Sequence, residues 1–340
     1  MRRCIQLAKL GAGYVAPNPM VGAVLVYDDH IIAEGYHQQY GGPHAEVNCI
    51  NSVAEAEKDL ISQSTMYVSL EPCAHIGKTP PCADLIIANK IPKVVIGCSD
   101  PFVEVDGKGI KKLQEAGVEV VSDVLENECR ELNRRFFTFH TQQRPFIILK
   151  WAQSSDGKLS SANSERTFIT NDYSNRLVHK WRSEEAGIMV GTNTAFHDDP
   201  LLTTRLWKGK NPVRIVMDMD LRLPPSLQLF NGKVKTIVLN GIKNEECPNL
   251  LFINLDGNEE VLKQVCTVLY KMNIQSVMVE GGTLLLQSFI NQNLFDEIRV
   301  IENTRLHIGN GLAAPLFSNM VLKEQLKLMG DEIKIFQPQK

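Results

Sequence analysis

The stretch EPCAHIGKTPPC, residues 71–82, places two cysteines with eight residues between them in a proline-rich segment. Three interpretations are open for Cys73 and Cys82: a disulfide, two buried thiols, or two ligands of a metal site completed elsewhere. The eight cysteines of the chain are spread over 340 residues, which is too sparse for a disulfide scaffold. In a reducing compartment, clustered cysteines more often serve metals or catalysis.

A further donor lies upstream in GGPHAEV, residues 41–47, where His44 and Glu46 stand at the predicted start of a helix. His-x-Glu followed by Pro-Cys and a second Cys is typical of zinc nucleobase deaminases, in which Glu transfers protons without ligating. Three protein ligands leave one position for water, whose pKa Zn²⁺ lowers to roughly 7. The pattern predicts His44, Cys73 and Cys82 as zinc ligands and Glu46 as the proton shuttle.

A structural zinc site is an alternative, since His75 could supply a fourth ligand, but it would leave Glu46 without a role. The usual deaminase spacing is Cys-x-x-Cys, whereas eight residues separate the cysteines here. The added residues include His75 and Lys78, which are donors suited to a phosphorylated substrate. The wider spacing therefore favours a nucleotide over a plain base.

Composition fits an ordinary globular protein, with 44% hydrophobic residues, 22% charged residues and a net charge of −3. A chain of 340 residues exceeds what one core usually organises, so two domains are expected. The charge provides no attraction to nucleic acid or an anionic membrane. No apolar run approaches the ~20 residues of a spanning helix, and the amino-terminal MRRCIQLAKLGAG predicts an amphipathic helix and not a signal peptide. We expect a cytoplasmic protein.

Hydrophobic periodicity predicts two successive α/β layers, joined by a linker at residues 141–145. The first contains a hairpin around Asp28 and Asp29, strands at 66–70 and 93–100, and helices at 44–58, 83–90, 109–117 and 124–137. The second contains strands at 146–154, 187–191, 213–218, 235–240 and 276–280, and helices at 172–186 and 281–292. The Gly-Gly-Thr turn that opens the last helix could bind an anion or phosphate, although many α/β proteins have such turns without a ligand.

The motifs, taken together, resemble those of the bifunctional riboflavin-biosynthesis deaminase-reductases. The matching stretches, in the family's order, are PNPMVGAVLV, EGYH, GGPHAEV, EPCAHIGKTPPC, DPFVEVDGKGI, LKWAQSSDGK, GTNTAFHDDPLLTTR, RIVMD and VEGGTLLLQSFI. The resemblance covers nearly the whole chain. It implies a cytidine-deaminase-like three-layer α/β/α domain at 1–140 and a dihydrofolate-reductase-like α/β domain at 146–340. Met1 matches an interior position of the family's first helix, so the resemblance implies that a short leading segment is missing.

The resemblance also implies two successive reactions on a small phosphoribosyl-pyrimidine. A zinc-dependent pyrimidine deaminase would hydrolyse the 2-amino group of 2,5-diamino-6-ribosylamino-4(3H)-pyrimidinone 5′-phosphate. An NADPH-dependent reductase would then convert the ribosyl side chain to ribityl. The cofactors would be Zn²⁺ and NADPH, and we expect a homo-oligomer with neither nucleic-acid nor membrane partners.

Site residues follow from the same motifs as implications of the resemblance. The deaminase substrate would be contacted by Asn18, His37, His75 and Lys78. The reductase cofactor would be bound by Ala152, Phe168, Thr194, Asp198, Met219, Gly282, Thr283 and Leu284. The reductase substrate would be bound by Lys150, Arg166, Arg182, Leu202, Arg205 and Glu280.

Some of these positions depart from the family pattern. Arg166 and Phe168 replace the usual Ser and Trp, although Phe168 can still stack on a ring. One alternative is therefore an active deaminase with a degenerate reductase domain. A nucleic-acid-editing deaminase is a second alternative, disfavoured by the net charge of −3, and a zinc-stabilised binding protein without catalysis is a third. Arg182 and Arg205 suit a phosphate, because guanidinium groups grip such oxygens bidentately.

Overall fold

The computed structural model describes residues 1–74, 80–101, 107–162, 167–257 and 259–339. These residues form two compact units, Met1–Gln143 and Arg144–Lys340. Within the described ranges, no helix is both long and apolar enough to span a bilayer.

The amino-terminal unit contains a five-stranded sheet in the order β2-β1-β3-β4-β5. Its elements are α1 (Arg2–Ala8), β1 (Gly22–Tyr27), β2 (His30–Tyr36), α2 (Ala45–Asn51), β3 (Thr65–Val68), α3 (Cys82–Ala88), β4 (Lys93–Ile96), α4 (Lys108–Glu115), β5 (Glu119–Val121), α5 (Glu126–Leu132) and α6 (Arg134–Gln142), with 3₁₀ turns at Lys9–Gly11 and Glu55–Gln63.

The hairpin of β1 and β2 is confirmed, and its two-residue turn explains it. Asp28 and Asp29 both have positive φ angles, 47° and 60°, which a type I′ turn requires and which short polar side chains tolerate. The two strands pair antiparallel from Gly22 opposite Tyr36 to Tyr27 opposite His30. This pairing leads the chain directly into the segment before α2.

The sheet lies between two layers of helices, which confirms the three-layer α/β/α prediction. On one face α2, α3 and α4 bury apolar side chains against alternate residues of β1, β3 and β4. On the other face α1 packs on Val24, and α5 contributes Cys129 to a small cluster with Leu70 and Cys98. The inner strands β1 and β4 are mostly buried, and their sequences GAVLVY and KVVI are largely apolar.

Two helical predictions in this unit differ from the structure. The helix expected at 44–58 ends at Asn51 and gives way to the 3₁₀ turn. The helix expected at 124–137 is two helices, because α5 ends at Leu132 and α6 continues to Gln142, into the segment expected to be a linker. Thr141 Oγ1 donates to the Phe137 carbonyl at 2.8 Å. The helix α6 ends at Gln142, and the next residue, Gln143, has a φ of 52°.

The carboxy-terminal unit contains a ten-stranded sheet in the order β11-β12-β10-β9-β8-β13-β6-β14-β17-β16 and a separate pair of β15 and β7. Its elements are β6 (Phe146–Ser154), β7 (Lys158–Ser161), α7 (Asp172–Glu184), β8 (Gly187–Gly191), α8 (Thr192–Asp198), β9 (Val213–Met217), β10 (Thr236–Asn240), β11 (Glu245–Cys247), β12 (Leu250–Asn254), α9 (Val261–Lys271), β13 (Ser276–Glu280), α10 (Thr283–Asn291), β14 (Glu297–Asn303), β15 (Gly311–Ala313), β16 (Met320–Leu328) and β17 (Asp331–Pro338), with a 3₁₀ turn at Gln228–Phe230.

Parallel pairing dominates the centre of this sheet, where β12, β10, β9, β8, β13, β6 and β14 run in one direction. Helices α9 and α10 pack on one face through residues such as Val265 and Phe289. Helix α7 packs through Val178 and Trp181 against alternate residues of β6 and β13. In such sheets ligands bind outside the carboxyl ends of the strands. Two strands lead into helices through glycines there: β8 through Gly191 into α8, and β13 through Gly281 and Gly282 into α10.

Candidate zinc centre and cofactor site

Three side chains of the amino-terminal unit converge on one point. His44 Nδ1 lies 3.6 Å from Cys73 Sγ and 3.3 Å from Cys82 Sγ, and the donor atoms of all three residues lie within 4.8 Å of one another. A tetrahedral ion with Zn–S of about 2.3 Å and Zn–N of about 2.0 Å holds sulfur and nitrogen about 3.5 Å apart. The observed distances bracket that value, so the donor set fits Zn²⁺ with a fourth position left over.

Local folding brings these donors together at helix starts. His44 is the residue before α2, and Cys82 is the first residue of α3. The Cys82 amide donates to Cys73 Sγ at 3.4 Å, and the Ala83 amide donates to the Cys73 carbonyl at 3.1 Å. Because helix amino termini favour negative charge, they stabilise thiolates at these positions.

The ionisable groups of the site interact strongly. A hydrogen bond from Cys82, together with His44, lowers the pKa of Cys73 to about 4. The same bond and burial raise the pKa of Cys82. The hydrogen bond with Cys73 also raises the pKa of His44.

Glu46 lies in the first turn of α2 and is only 3% exposed. Burial raises the pKa of its carboxyl, and the Cys73 charge adds to this effect while His44 opposes it. A carboxyl with a raised pKa can both accept and return a proton near neutral pH. Its position beside the three donors therefore suits a proton shuttle.

Asn18 and His37 lie next to this centre. The Asn18 amide nitrogen is 3.1 Å from His37 Nε2, and the His37 ring packs edge-on against the His44 ring with centroids 5.5 Å apart. The backbone after Asn18 is fixed by Asn133, whose side chain bonds both the amide and the carbonyl of Met20 at 2.8 Å. His75 and Lys78, the other two predicted substrate contacts, lie outside the described residues.

Glu71 is a buried residue that the sequence analysis did not single out. Its carboxylate, on a residue 4% exposed, accepts four backbone N–H groups. These are the amides of Asp100 (3.3 Å), Gly107 (3.1 Å), Gly109 (3.0 Å) and Ile110 (3.2 Å). Glu71 thus caps the start of α4 from the segment that carries Cys73, and its place in Glu-Pro-Cys, two residues before a ligand, was the available signal.

In the carboxy-terminal unit, a buried ion cluster lies at the carboxyl end of β13. Arg182 from α7 donates two hydrogen bonds to Glu280, both 2.8 Å, and Lys150 Nζ lies 3.7 Å from the same carboxylate. Burial raises the pKa of Glu280, but Arg182 and Lys150 outweigh it and lower the pKa to about 2. Burial lowers the pKa of Lys150 despite Glu280. The register of β6 and β13 sets Lys150 directly opposite Glu280.

His179 was also missed by the sequence analysis, although it belongs to the same cluster. The residue is buried on α7, and its Nδ1 has no hydrogen-bond partner among the described residues. Burial, with Arg182 and Arg205 nearby, lowers its pKa to about 4. A neutral histidine is therefore expected beside the two arginines.

The turn between β13 and α10 forms a backbone cradle. Gly281 and Gly282 have φ angles of 90° and 74°, and a Cβ on Gly281 would lie 3.0 Å from Thr194 Cγ2. In the part of the chain that the structure describes, no side chain caps the start of α10, while Thr283 Oγ1 donates to the Ala313 carbonyl at 2.8 Å. Uncapped helix N–H groups beside a glycine turn fit a phosphate of a dinucleotide cofactor.

The other predicted reductase residues occupy varied environments. Phe168 and Leu284 are 79% and 77% exposed, and Asp198 and Arg205 are exposed as well. Leu202 is buried with a φ of 50°. The half-buried ones are Ala152, within β6 and opposite Ile301, and Met219, whose carbonyl accepts the Gly241 amide. Arg166 lies outside the described residues.

A His-Cys-Cys metal centre beside a buried Glu, followed by a second α/β unit with a phosphate cradle, defines a zinc-dependent deaminase joined to a nucleotide-dependent reductase. Family models agree: residues 1–98 match the cytidine and deoxycytidylate deaminase zinc-binding region, and residues 145–334 match the RibD C-terminal domain. The chain belongs to the RibD family of riboflavin-biosynthesis proteins, which are bifunctional deaminases and reductases. Its cofactors are Zn²⁺ and NADPH.

Similar proteins cover nearly the whole chain. The RibD protein of Aquifex aeolicus is 40% identical over 99% of this chain and 96% of its own length. The RibD protein of Escherichia coli is 34% identical over 88% and 85%. A solved diaminohydroxyphosphoribosylaminopyrimidine deaminase/5-amino-6-(5-phosphoribosylamino)uracil reductase from Thermotoga maritima superposes with a TM-score of 0.91, at 36% identity over 99% and 97%. RibD of Acinetobacter baumannii superposes at 0.88, with 30% identity over 100% and 98%.

Proposed function

We propose that this chain catalyses the two reactions named for the Thermotoga maritima protein. The amino-terminal unit would hydrolyse the 2-amino group of 2,5-diamino-6-ribosylamino-4(3H)-pyrimidinone 5′-phosphate, and the carboxy-terminal unit would reduce the ribosyl side chain to ribityl. The observation that carries the proposal is the trio of His44, Cys73 and Cys82 beside buried Glu46.

In the deaminase, His44, Cys73 and Cys82 would hold the ion. Zn²⁺ bound there lowers the pKa of a water ligand and so provides the nucleophile of hydrolysis. Glu46 would take the proton from that water and deliver it to the departing amine. Burial around Glu46 excludes bulk water, which keeps the transferred proton within the site.

In the reductase, NADPH supplies the hydride, and its phosphate would rest on the Gly281–Gly282 turn. As the hydride adds to the anomeric carbon of the sugar, the ring oxygen leaves that carbon and requires a proton. Lys150, whose pKa burial lowers, would donate it. Glu280 holds Lys150 in position and is itself anchored bidentately by Arg182; Arg205, which is exposed, would meet the substrate phosphate.

Several further assignments belong to the same proposal. The catalytic domains would be 1–140 and 146–340, and the protein would act in the cytoplasm as a homo-oligomer. The net charge of −3 supports a small phosphorylated substrate over nucleic acid. Light scattering of the purified chain tests the homo-oligomer, and salt-dependent RNA binding would contradict the choice of substrate.

The experiment that tests the function combines zinc analysis with ammonia release and NADPH oxidation. We expect Glu46→Gln to reduce ammonia release by about 10²- to 10⁴-fold, with zinc still bound and the deaminated intermediate still reduced. Glu55→Gln, on an exposed carboxylate paired with Lys58, is the matched control. Full ammonia release by Glu46→Gln would contradict the assigned role, and NADPH left unoxidised by the intact chain would contradict the reductase.

A further inference from the structure

His37 is held by hydrogen bonds at both ring nitrogens. Nδ1 lies 2.9 Å from the Pro43 carbonyl oxygen, and Nε2 lies 3.1 Å from the Asn18 side-chain nitrogen. The residue is only 2% exposed, and its own amide donates to the Val21 carbonyl at 2.9 Å. Neither ring nitrogen is therefore left to bind a substrate directly.

These partners determine where the ring proton lies. A backbone carbonyl only accepts hydrogen bonds, so His37 Nδ1 must carry the proton that it donates to Pro43. Asn18 Nδ2 faces Nε2 at 3.1 Å, and because a side-chain amide nitrogen only donates hydrogen bonds, Nε2 offers its lone pair to that N–H group.

The orientation of the Asn18 amide follows from this. With its nitrogen turned toward His37, its carbonyl oxygen Oδ1 is the end left for another group, and no partner for Oδ1 is found among the residues that the structure describes. Asn18 is half-buried, and its backbone N–H donates to the Val15 carbonyl at 2.9 Å. The backbone beyond it is fixed by the Asn133 bonds to Met20. Side-chain rotation of Asn18 is thus the remaining freedom, and His37 restricts it.

One ring separates this amide from the metal donors. The ring that orients Asn18 packs edge-on against His44, with 5.5 Å between the ring centroids. An acceptor there favours a ligand with an N–H or O–H donor near the reacting carbon. The lactam N–H of an amino-pyrimidinone, next to the carbon that carries the amine, is such a donor.

We propose that His37 is a positioning residue that fixes the Asn18 amide with Oδ1 toward the substrate, and that this orientation selects pyrimidines with a lactam N–H. The inference rests on the proposed deaminase function. It assigns His37 a role different from the direct substrate contact that the family resemblance implies. The two roles make opposite predictions for paired mutations.

The first variant separates the two bonds of His37. In His37→Asn the shorter amide can still donate to the Pro43 carbonyl but ends before Asn18. We expect KM for the diaminopyrimidine to rise about tenfold, because the loss of one hydrogen bond weakens binding by about that factor. We expect kcat to change much less. His37→Gln, whose amide reaches the Nε2 position, should recover most of this loss. Zinc content and NADPH oxidation report folding, and His30→Asn, at an exposed histidine that also bonds a backbone carbonyl, is the matched control.

A double-mutant cycle with Asn18→Ala distinguishes positioning from direct contact. If His37 acts through Asn18, then Asn18→Ala adds little to the KM already raised by His37→Asn. If His37 contacts the substrate itself, the two increases multiply, and that outcome would overturn the inference.

Nitrogen NMR of the histidine rings provides a readout that a purely structural role would not share. We expect His37 to be the Nδ1–H tautomer in the zinc-loaded protein, and an Nε2–H tautomer would overturn the inference. If the parent chain released no ammonia from the diaminopyrimidine, the proposed function would fail, while the spectra would still decide the tautomer. The two failures are therefore distinguishable.

Discussion

Replacing Glu71 with glutamine keeps the shape of the side chain and removes half of its acceptors. In the parent, one oxygen accepts the amides of Asp100 and Gly107, and the other accepts those of Gly109 and Ile110. A glutamine amide can satisfy only one of these pairs with its oxygen. Its nitrogen then faces two N–H donors.

The cost follows from these four bonds. Each buried N–H without an acceptor costs about 1–3 kcal/mol, and two are left in Glu71→Gln. Because the start of α4 can move toward water, we take the lower part of that range and expect a local loss of about 3 kcal/mol. Each 1.4 kcal/mol is about tenfold in an opening equilibrium, so the affected amides should exchange with deuterium about 100-fold faster.

Hydrogen–deuterium exchange of Gly107, Gly109 and Ile110 measures this loss directly. Glu115→Gln is the matched control, because Glu115 lies at the other end of α4 and forms an exposed pair with Lys111 at 3.8 Å, a contact that contributes little to stability. Exchange in Glu71→Gln within about twofold of the parent would refute the reasoning, since a 1.4 kcal/mol change alone gives about tenfold. The four contacts would then contribute no net stability.

Three further outcomes are expected. A Cβ on Gly109 would lie 1.9 Å from the Pro72 carbonyl oxygen, so Gly109→Ala should destabilise the fold by about 3 kcal/mol in urea, whereas Gly257→Ala, with open space around it, should not. Burial raises the pKa of Glu280, but Arg182 outweighs it and the pKa falls from 4.5 to about 2. This carboxylate therefore stabilises the fold above pH 4.5, and about 3 kcal/mol of that stabilisation is lost as the pH falls toward 2. In Glu280→Gln the free energy of unfolding, measured in urea, should depend less on pH over this range. An unchanged pH dependence would contradict the pairing. Chelation of zinc should abolish ammonia release and leave NADPH oxidation by the deaminated intermediate unchanged, as the two assays run side by side would report.

Features encoded by neighbouring residues could be predicted from the sequence. The Asp28–Asp29 turn and its flanking apolar runs predicted the hairpin. The predicted strand at 66–70 corresponds to β3 at Thr65–Val68. The metal donors were also visible, because chemistry restricts them to few residue types in a fixed order. Here local pattern and tertiary structure agree.

Features that depend on distant partners could not be predicted in this way. Glu71 bonds amides 29 to 39 residues away, and nothing in Glu-Pro-Cys specifies them. The break between α5 and α6 arises where Asn133 turns its side chain to the Met20 backbone, 113 residues earlier. Sequence analysis likewise placed His37 at the site without its hydrogen bonds, which decide what the ring can do there.

The position of β6 in the ten-stranded sheet has a consequence during synthesis. It is the first strand of its unit to be made, yet its two neighbours are β13, which starts at Ser276, and β14, which starts at Glu297. Each partner begins about 120 residues or more after β6 ends at Ser154. At ~5–20 residues per second, synthesis of the intervening segment takes roughly 10 s. Throughout that interval the apolar FIILKW stretch emerges from the ribosome without either partner strand, so the nascent reductase domain should depend on chaperone protection more than the locally paired hairpin before it.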